Sequence, residues 1–269
     1  MPNDIYNVNS AEVIGGPGRL VWAPYGTEAP TKISDVMNLS SPYDLNDPWT
    51  DVGATNEGIT VNRSFETEDV TVDQSIAPID DDITGWNHTL STQLAQNTVE
   101  NRKLALIGST IEEVPPETGT AAALSNDVAA GATTLKVAST TEFSEGGWLQ
   151  IGEEIKRISK VSSDSIYLAE PLNTSYTATD EVTPITELGY KRIGYGAVED
   201  RPMIMLALIN QKKDGSLYMS VYRKCKVSGD DKEQNFQKAT RYLPLNLAAY
   251  PDDTAPTDEN VYYEIDQVR

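Results

Sequence analysis

Along much of the chain apolar and polar residues alternate with a period of two, the pattern of strands buried on one face. From Ile59, the run ITVNRSF sets Ile59, Val61 and Phe65 on one side and Thr60, Asn62 and Ser64 on the other. The phase then flips. Beyond ETED (66–69) the apolar positions are Val70 and Val72, so the pattern predicts a bulge or a turn in between. A second run, TGWNHTLSTQL, alternates Trp86, His88, Leu90 and Leu94 with Asn87, Thr89, Ser91 and Gln93. Farther on, MIMLALI (203–209) reads as a buried strand, KKDGS as a turn and LYMSVYRKCKV as the returning strand. In that strand Leu217, Met219, Val221, Cys225 and Val227 share one face, which makes Cys225 a core thiol. YLPLNLAAY alternates too, but Pro244 lacks a ladder donor, which predicts an edge or bulged position.

One helix interrupts this pattern. Asn97 is a candidate N-cap with Glu100 three residues later, NRKLALI supplies helix formers, and Gly108 offers a stop. Past it the texture changes. EEVPPETGTAAALSNDVAAGA (112–132) is rich in Pro, Gly and Ala, and short strands punctuated by turns follow it, such as TTLKVAS, GGWLQIG, EIKRISKV and DSIYLAE. The expectation is a small all-β domain at 118–186, inserted into a discontinuous core formed by 1–117 and 187–269. Near the start, GPGRLVWAPYGTEAPTKISD places a short apolar strand ahead of a long proline-bearing arm.

Composition excludes several functions. With 41 acidic and 21 basic residues the formal net charge is −20, which argues against a nucleic-acid-binding surface. The 13 Tyr, 4 Trp and many aliphatic residues still supply a core. The first ten residues, MPNDIYNVNS, lack the basic and apolar regions of a signal peptide, and no apolar run is long enough to span a membrane. A single cysteine excludes an intramolecular disulfide framework and any multi-cysteine metal site. His88 is the only histidine, so a Ser-His-Asp triad has no other base, and its place beside Trp86 and Leu90 reads as packing. The acidic runs at 80–82, 229–231 and 251–260 lack the spacing of a calcium loop, and GYGAVED (194–200) lacks a strand–loop–helix context for phosphate. No residue set qualifies as catalytic, cofactor-binding or metal-ligating.

Five segments in order carry a family resemblance: GGPGRLVWAPYGTEAP, DPWTDVGATNEGITVNRSFETEDVTVDQSIAPID, LSTQLAQNTVENRKLALIG, GYKRIGYGAVEDRPMIMLALINQKKDGSLYMSVYRKCKV and NFQKATRYLPLNLAAYPD. Together they resemble the major tail tube protein of long, non-contractile-tailed phages, and AAGATTLKVASTTEF with GGWLQIG resembles small β modules of phage structural proteins. The insert departs from the family's minimal pattern. The resemblance implies a mainly β fold, a tail-tube-type sandwich or barrel with one short flanking helix, carrying the inserted β domain on the tube exterior. It implies a non-enzymatic virion protein, assembled in the host cytoplasm, whose hexameric rings stack into a tube. Its partners would be further copies of itself, a tape measure and a tail terminator, with no membrane and no cofactor. DNA would pass through the lumen without specific binding. On that reading Glu66, Glu68, Asp69 and Asp73 are candidates to line the lumen, and Trp22, Tyr43 and Trp49 are candidates for an arm that packs on a neighbouring subunit. Two other classes fit the composition, a bacterial surface or adhesion protein and a glycan-active enzyme with two carboxylates at fixed separation.

Overall fold

The computed structural model describes residues 15–197, 201–229 and 240–268. The first ten residues, the acidic run at 229–231 past its glycine, and the end of GYGAVED lie outside them. The chain separates into two units, one formed by the residues up to Thr110 and from Ile193 onward, the other by Ile111–Arg192. The first begins with β1 (Arg19–Pro24), β2 (Thr50–Asp51), β3 (Thr55–Val70), β4 (Asp80–Leu94) and the helix α1 (Val99–Leu106). The second holds β5 (Glu112–Val114), β6 (Glu117–Thr118), β7 (Ala122–Ala123), β8 (Thr134–Lys136), β9 (Trp148–Ile151), β10 (Glu154–Val161), β11 (Ser165–Leu168), β12 (Glu181–Glu187) and β13 (Tyr190–Arg192). The chain then returns to the first unit for β14 (Met203–Gln211), β15 (Leu217–Val227), β16 (Leu243–Ala249) and β17 (Tyr262–Asp266). The fold is mainly β, with one short helix among the described residues.

In the first unit an antiparallel sheet runs β2-β1-β14-β15-β16-β4-β3, and β17 pairs with β15 along Tyr218–Tyr222. The two ends of that order, β2 and β3, are joined by only Val52–Ala54, so the sheet must curl. A Cβ on Gly18 would lie 2.7 Å from Leu208 Cδ1 of β14 and 3.6 Å from Ile59 Cδ1 of β3. A side chain there would require Leu208 to shift. The concave side buries Leu20, Leu90, Leu94, Leu206, Leu243 and Leu245, capped by Leu104 and Ala105 of α1. On the other face Val21, Met205, Ala207, Met219 and Val221 are covered by Ile33, Val36, Met37 and Trp49 from the connection between β1 and β2.

Several expectations are corrected here. β16 lies between β15 and β4, not at an edge. Pro244 is tolerated because β15 pairs only with Leu247–Ala249, so the Pro244 end is bonded on the β4 side alone. β15 does not keep one face throughout: between Tyr222 and Cys225 the register with β14 slips by one residue. The slip turns Tyr222, Cys225 and Val227 into the concave core while Met219 and Val221 pack under the arm. A bulge does fall after Glu66, but its extra residue is Thr84 on β4: Glu66 pairs with Gly85 and Thr67 with Ile83, so β3 keeps its phase and Val70 falls on the side of Glu66 and Glu68. The N-cap of α1 is Thr98, whose hydroxyl accepts from Asn101 N–H, and Asn97 stands one residue before it. Ile107 ends the helix in the left-handed region at φ 56°, ahead of Gly108.

In the second unit the strand order β12-β9-β10-β11-β8 is closed by β7, which pairs with β12, and by a bridge from Leu124 to Val137. The interior packs Leu135, Leu149, Ile151, Ile158, Ile166 and Val182. β5 and β13, which lie outside 118–186, pair with each other beside this barrel. A polar anchor holds one end of it. Glu154 accepts hydrogen bonds from the Asn173 and Thr174 amides and the Tyr176 hydroxyl, and its carboxylate lies 3.1 Å from Lys156 Nζ.

Candidate assembly surface

β3 and β4 form a long hairpin with a supported root and a free end. β4 pairs with β16 from Leu94 back to His88 and no further. Beyond that, Ser64–Val70 and Asp80–Asn87 pair only with each other, a ribbon of about 24 Å at the usual rise per residue. An isolated two-stranded ribbon is marginal in water. β3 is also the outer strand of the sheet, so one side of its backbone ladder is unpaired within the subunit.

The two faces of the hairpin differ sharply. On the face continuous with the concave core, a row of rings runs outward from the buried Tyr222. Tyr262 lies 5.1 Å from Tyr222, His88 5.5 Å from Tyr262, Trp86 6.1 Å from His88 and Phe65 5.2 Å from Trp86. The Arg63 guanidinium sits 4.4 Å from the Trp86 ring centroid and 5.7 Å from that of Tyr262. Burial and the Arg63 charge both hold the His88 pKa below its ordinary value, so the imidazole is neutral near pH 7 and acts as a packed ring. The outer end of the row is bare: Phe65 is 56% and Trp86 50% exposed, with Ile83, Ile76 and Ile79 exposed beyond them.

The opposite face is polar except for Val70, which lies opposite Asp80. It carries Thr60, Asn62, Ser64, Glu66 and Glu68 on β3, and Ser91, Thr89, Asn87, Asp82 and Asp80 on β4. β16 continues it with Asn246 opposite Ser91 and Ala248 opposite Thr89. The first base on this side is Lys226 of β15, opposite Ala248. Toward the tip, Glu68 lies directly opposite Asp82 and Asp69 opposite Asp81, pairs of like charge that disfavour the ribbon in isolation.

A family model described as phage tail tube protein matches residues 7–171, more than half of the chain. The chain belongs to the phage tail tube protein family. No curated protein matches it. The family is one of structural virion components, and self-assembly is its chemistry. The match covers the hairpin, α1 and most of the second unit.

Of the residues singled out as lumen candidates in this tail tube subunit, Glu66 and Glu68 share the polar face, Asp69 points to the other side with Asp81, and Asp73 lies in the exposed loop between the strands. Asp80 and Asp82 join Glu66 and Glu68 there. Pairing across a hairpin is invisible until the register is known, so the run 80–82 carries no such signal in the sequence. The arm candidates are drawn into their own subunit. Trp49 is 7% exposed in the core over β1, β14 and β15, and Trp22 packs half-buried against the concave core. Arg19 ties the arm down, donating from Nε to Asp51 Oδ2 at 2.7 Å and from Nη1 to the Tyr43 carbonyl at 2.7 Å. Only the Tyr43 side chain remains exposed.

Proposed function

We propose that this chain is the major tube subunit of a long, non-contractile phage tail, polymerising through hexameric rings that stack around a DNA-conducting lumen. The observation that carries this reading is the bare hairpin. Its unpaired edge, exposed Phe65, Ile83 and Trp86, and facing carboxylates are each unfavourable in an isolated subunit, and the first two are satisfied when neighbouring subunits pair with β3 and cover its apolar face. The polar face of β3, β4 and β16 would then line the channel, with Glu66, Glu68, Asp80 and Asp82 toward one rim. A wall without clustered Lys and Arg releases few counterions to DNA and holds it weakly. Screening confines repulsion to about 8 Å at physiological salt, so the lumen acts as a non-adhesive lining. The second unit would stand on the tube exterior, assembly would take place in the host cytoplasm, and a tape measure and a terminator would set tube length.

The test is Phe65→Asp combined with Ile83→Asp, both at exposed positions on one face of the hairpin. The expected product is a folded, soluble subunit that forms neither rings nor tubes by negative-stain microscopy. Tubes of unaltered diameter from this variant would overturn the assignment of the hairpin as the assembly element.

A further inference from the structure

The barrel of the second unit turns an unusual set of side chains outward. Alternation from the buried Leu149, Ile158, Ile166 and Leu168 puts Trp148, Arg157 and Tyr167 on its outer surface. Trp148 lies directly opposite Arg157, and Tyr167 directly opposite Lys160. Lys136 follows on β8, opposite Ser165, and Gln150 and Thr183 extend the face on the side of β9 and β12. The stretch 118–186 has four basic residues against nine acidic ones. One base, Lys156, turns inward to Glu154. The other three all lie on this outer face.

Those three cations have no carboxylate partner among the described residues, whereas Arg19, Arg192, Lys212 and Arg223 each have one. Arg157 does not stack on Trp148 either, so guanidinium and ring are both free. In a chain with about two acids per base, three unpaired cations beside two half-exposed rings form a local surface complementary to an anion with flat, weakly polar faces. We propose that this face binds a negatively charged polysaccharide. Sugar rings stack on Trp148 and Tyr167, about 12 Å apart, two strand spacings across and about two residues along, and acid groups between them meet Arg157 and Lys160. A nucleic acid is the weaker fit, since its closely spaced phosphates call for more than three cations. The inference rests on this unit alone and stands whether or not the chain forms tubes.

Fluorescence anisotropy of labelled alginate titrated with the full chain at low salt tests it, with labelled dextran and a labelled oligothymidylate as comparison probes. Saturable alginate binding without dextran binding is expected. Arg157→Gln with Lys160→Gln, which leaves the barrel interior untouched, should weaken alginate binding about tenfold or more, as the loss of two charge-assisted contacts implies. Trp148→Ala with Tyr167→Ala should weaken it about fivefold. Lys103→Gln, on α1, should leave it unchanged. Absence of alginate binding by the unaltered chain, or binding by both double variants as tight as that of the unaltered chain, overturns the proposal. Tighter binding of oligothymidylate than of alginate also overturns it and assigns the face to single-stranded nucleic acid.

Discussion

Replacing Glu154 by glutamine removes one charge from a site built around it. Burial of this carboxyl raises its pKa, but the Asn173 amide, Lys156, the Thr174 amide and the Tyr176 hydroxyl together outweigh that and bring it down to about 2. The side chains of Glu154 and Lys156 are 10% and 8% exposed, so the variant leaves an ammonium buried without its counter-charge. Breaking a buried pair from one side costs about 3–5 kcal/mol. The pKa gives an independent figure: a fall from the ordinary 4.5 to about 2 corresponds to at most about 3 kcal/mol. Residual solvent access lowers that, and about 2–3 kcal/mol is the expected loss at pH 7. The sign follows from the direction of the shift. A depressed carboxyl pKa contributes stability that is fully present above pH ~4.5 and is lost as pH falls toward 2. Hydrogen exchange by mass spectrometry on the full chain localises the effect. Peptides spanning β9, β10 and residues 173–176 should exchange about thirty- to a hundredfold faster at pH 7 in Glu154→Gln, and a further Lys156→Met should restore most of the protection. Thermal melts should show the unaltered chain losing stability between pH 4.5 and 2 while the variant loses much less. Protection within threefold of the unaltered chain, or a double variant no better than the single one, would refute the account of Glu154 as a charge anchor.

Arg63→Ala should free the outer ring row while leaving the concave core intact; loss of two cation–π contacts predicts about 1 kcal/mol and faster amide exchange confined to Ser64–Val70 and Asp80–Asn87. Glu66→Lys with Glu68→Lys and Asp82→Lys should leave tubes assembled but slow DNA ejection most at low ionic strength, and unchanged kinetics from particles shown to contain the variant would remove this face from the lumen. Replacing Ile111–Arg192 by a short Gly/Ser linker should leave tube formation intact by microscopy, whereas a folded first unit that no longer assembles would place the second unit in ring contacts.

Deleting residues 1–50 illustrates how a reading of local pattern goes astray. As a free arm, the stretch from Pro24 to Trp49 would be dispensable for folding. In the structure that deletion removes β1, which lies between β2 and β14, together with Ile33, Val36, Met37 and Trp49, which cover one face of the sheet. The core would be lost with the arm. Proline-rich, irregular sequence signals the absence of regular hydrogen bonding. It does not say on which surface the segment lies.

Period-two alternation was sufficient to identify the strands of the hairpin and the buried run 203–209, because each depends on which side of one strand a residue occupies, and it put Cys225 in a core but on the opposite face. The short helix was legible for the same local reason, although its cap was off by one residue. Three features came only with tertiary structure. The curl of the sheet brings Gly18 close to Ile59 and Leu208, residues far apart along the chain. The slip in β15, which sends Tyr222 and Met219 to different cores, is set by β14 on one side and by β16 and β17 on the other. The ring row brings Tyr262 of the last strand against His88, and no local periodicity links positions so distant. A chain's pattern of apolar residues states that a face must be buried, because exposing it to water is unfavourable whatever lies nearby. Which residues bury it is decided by strand order and register, which only the folded chain possesses.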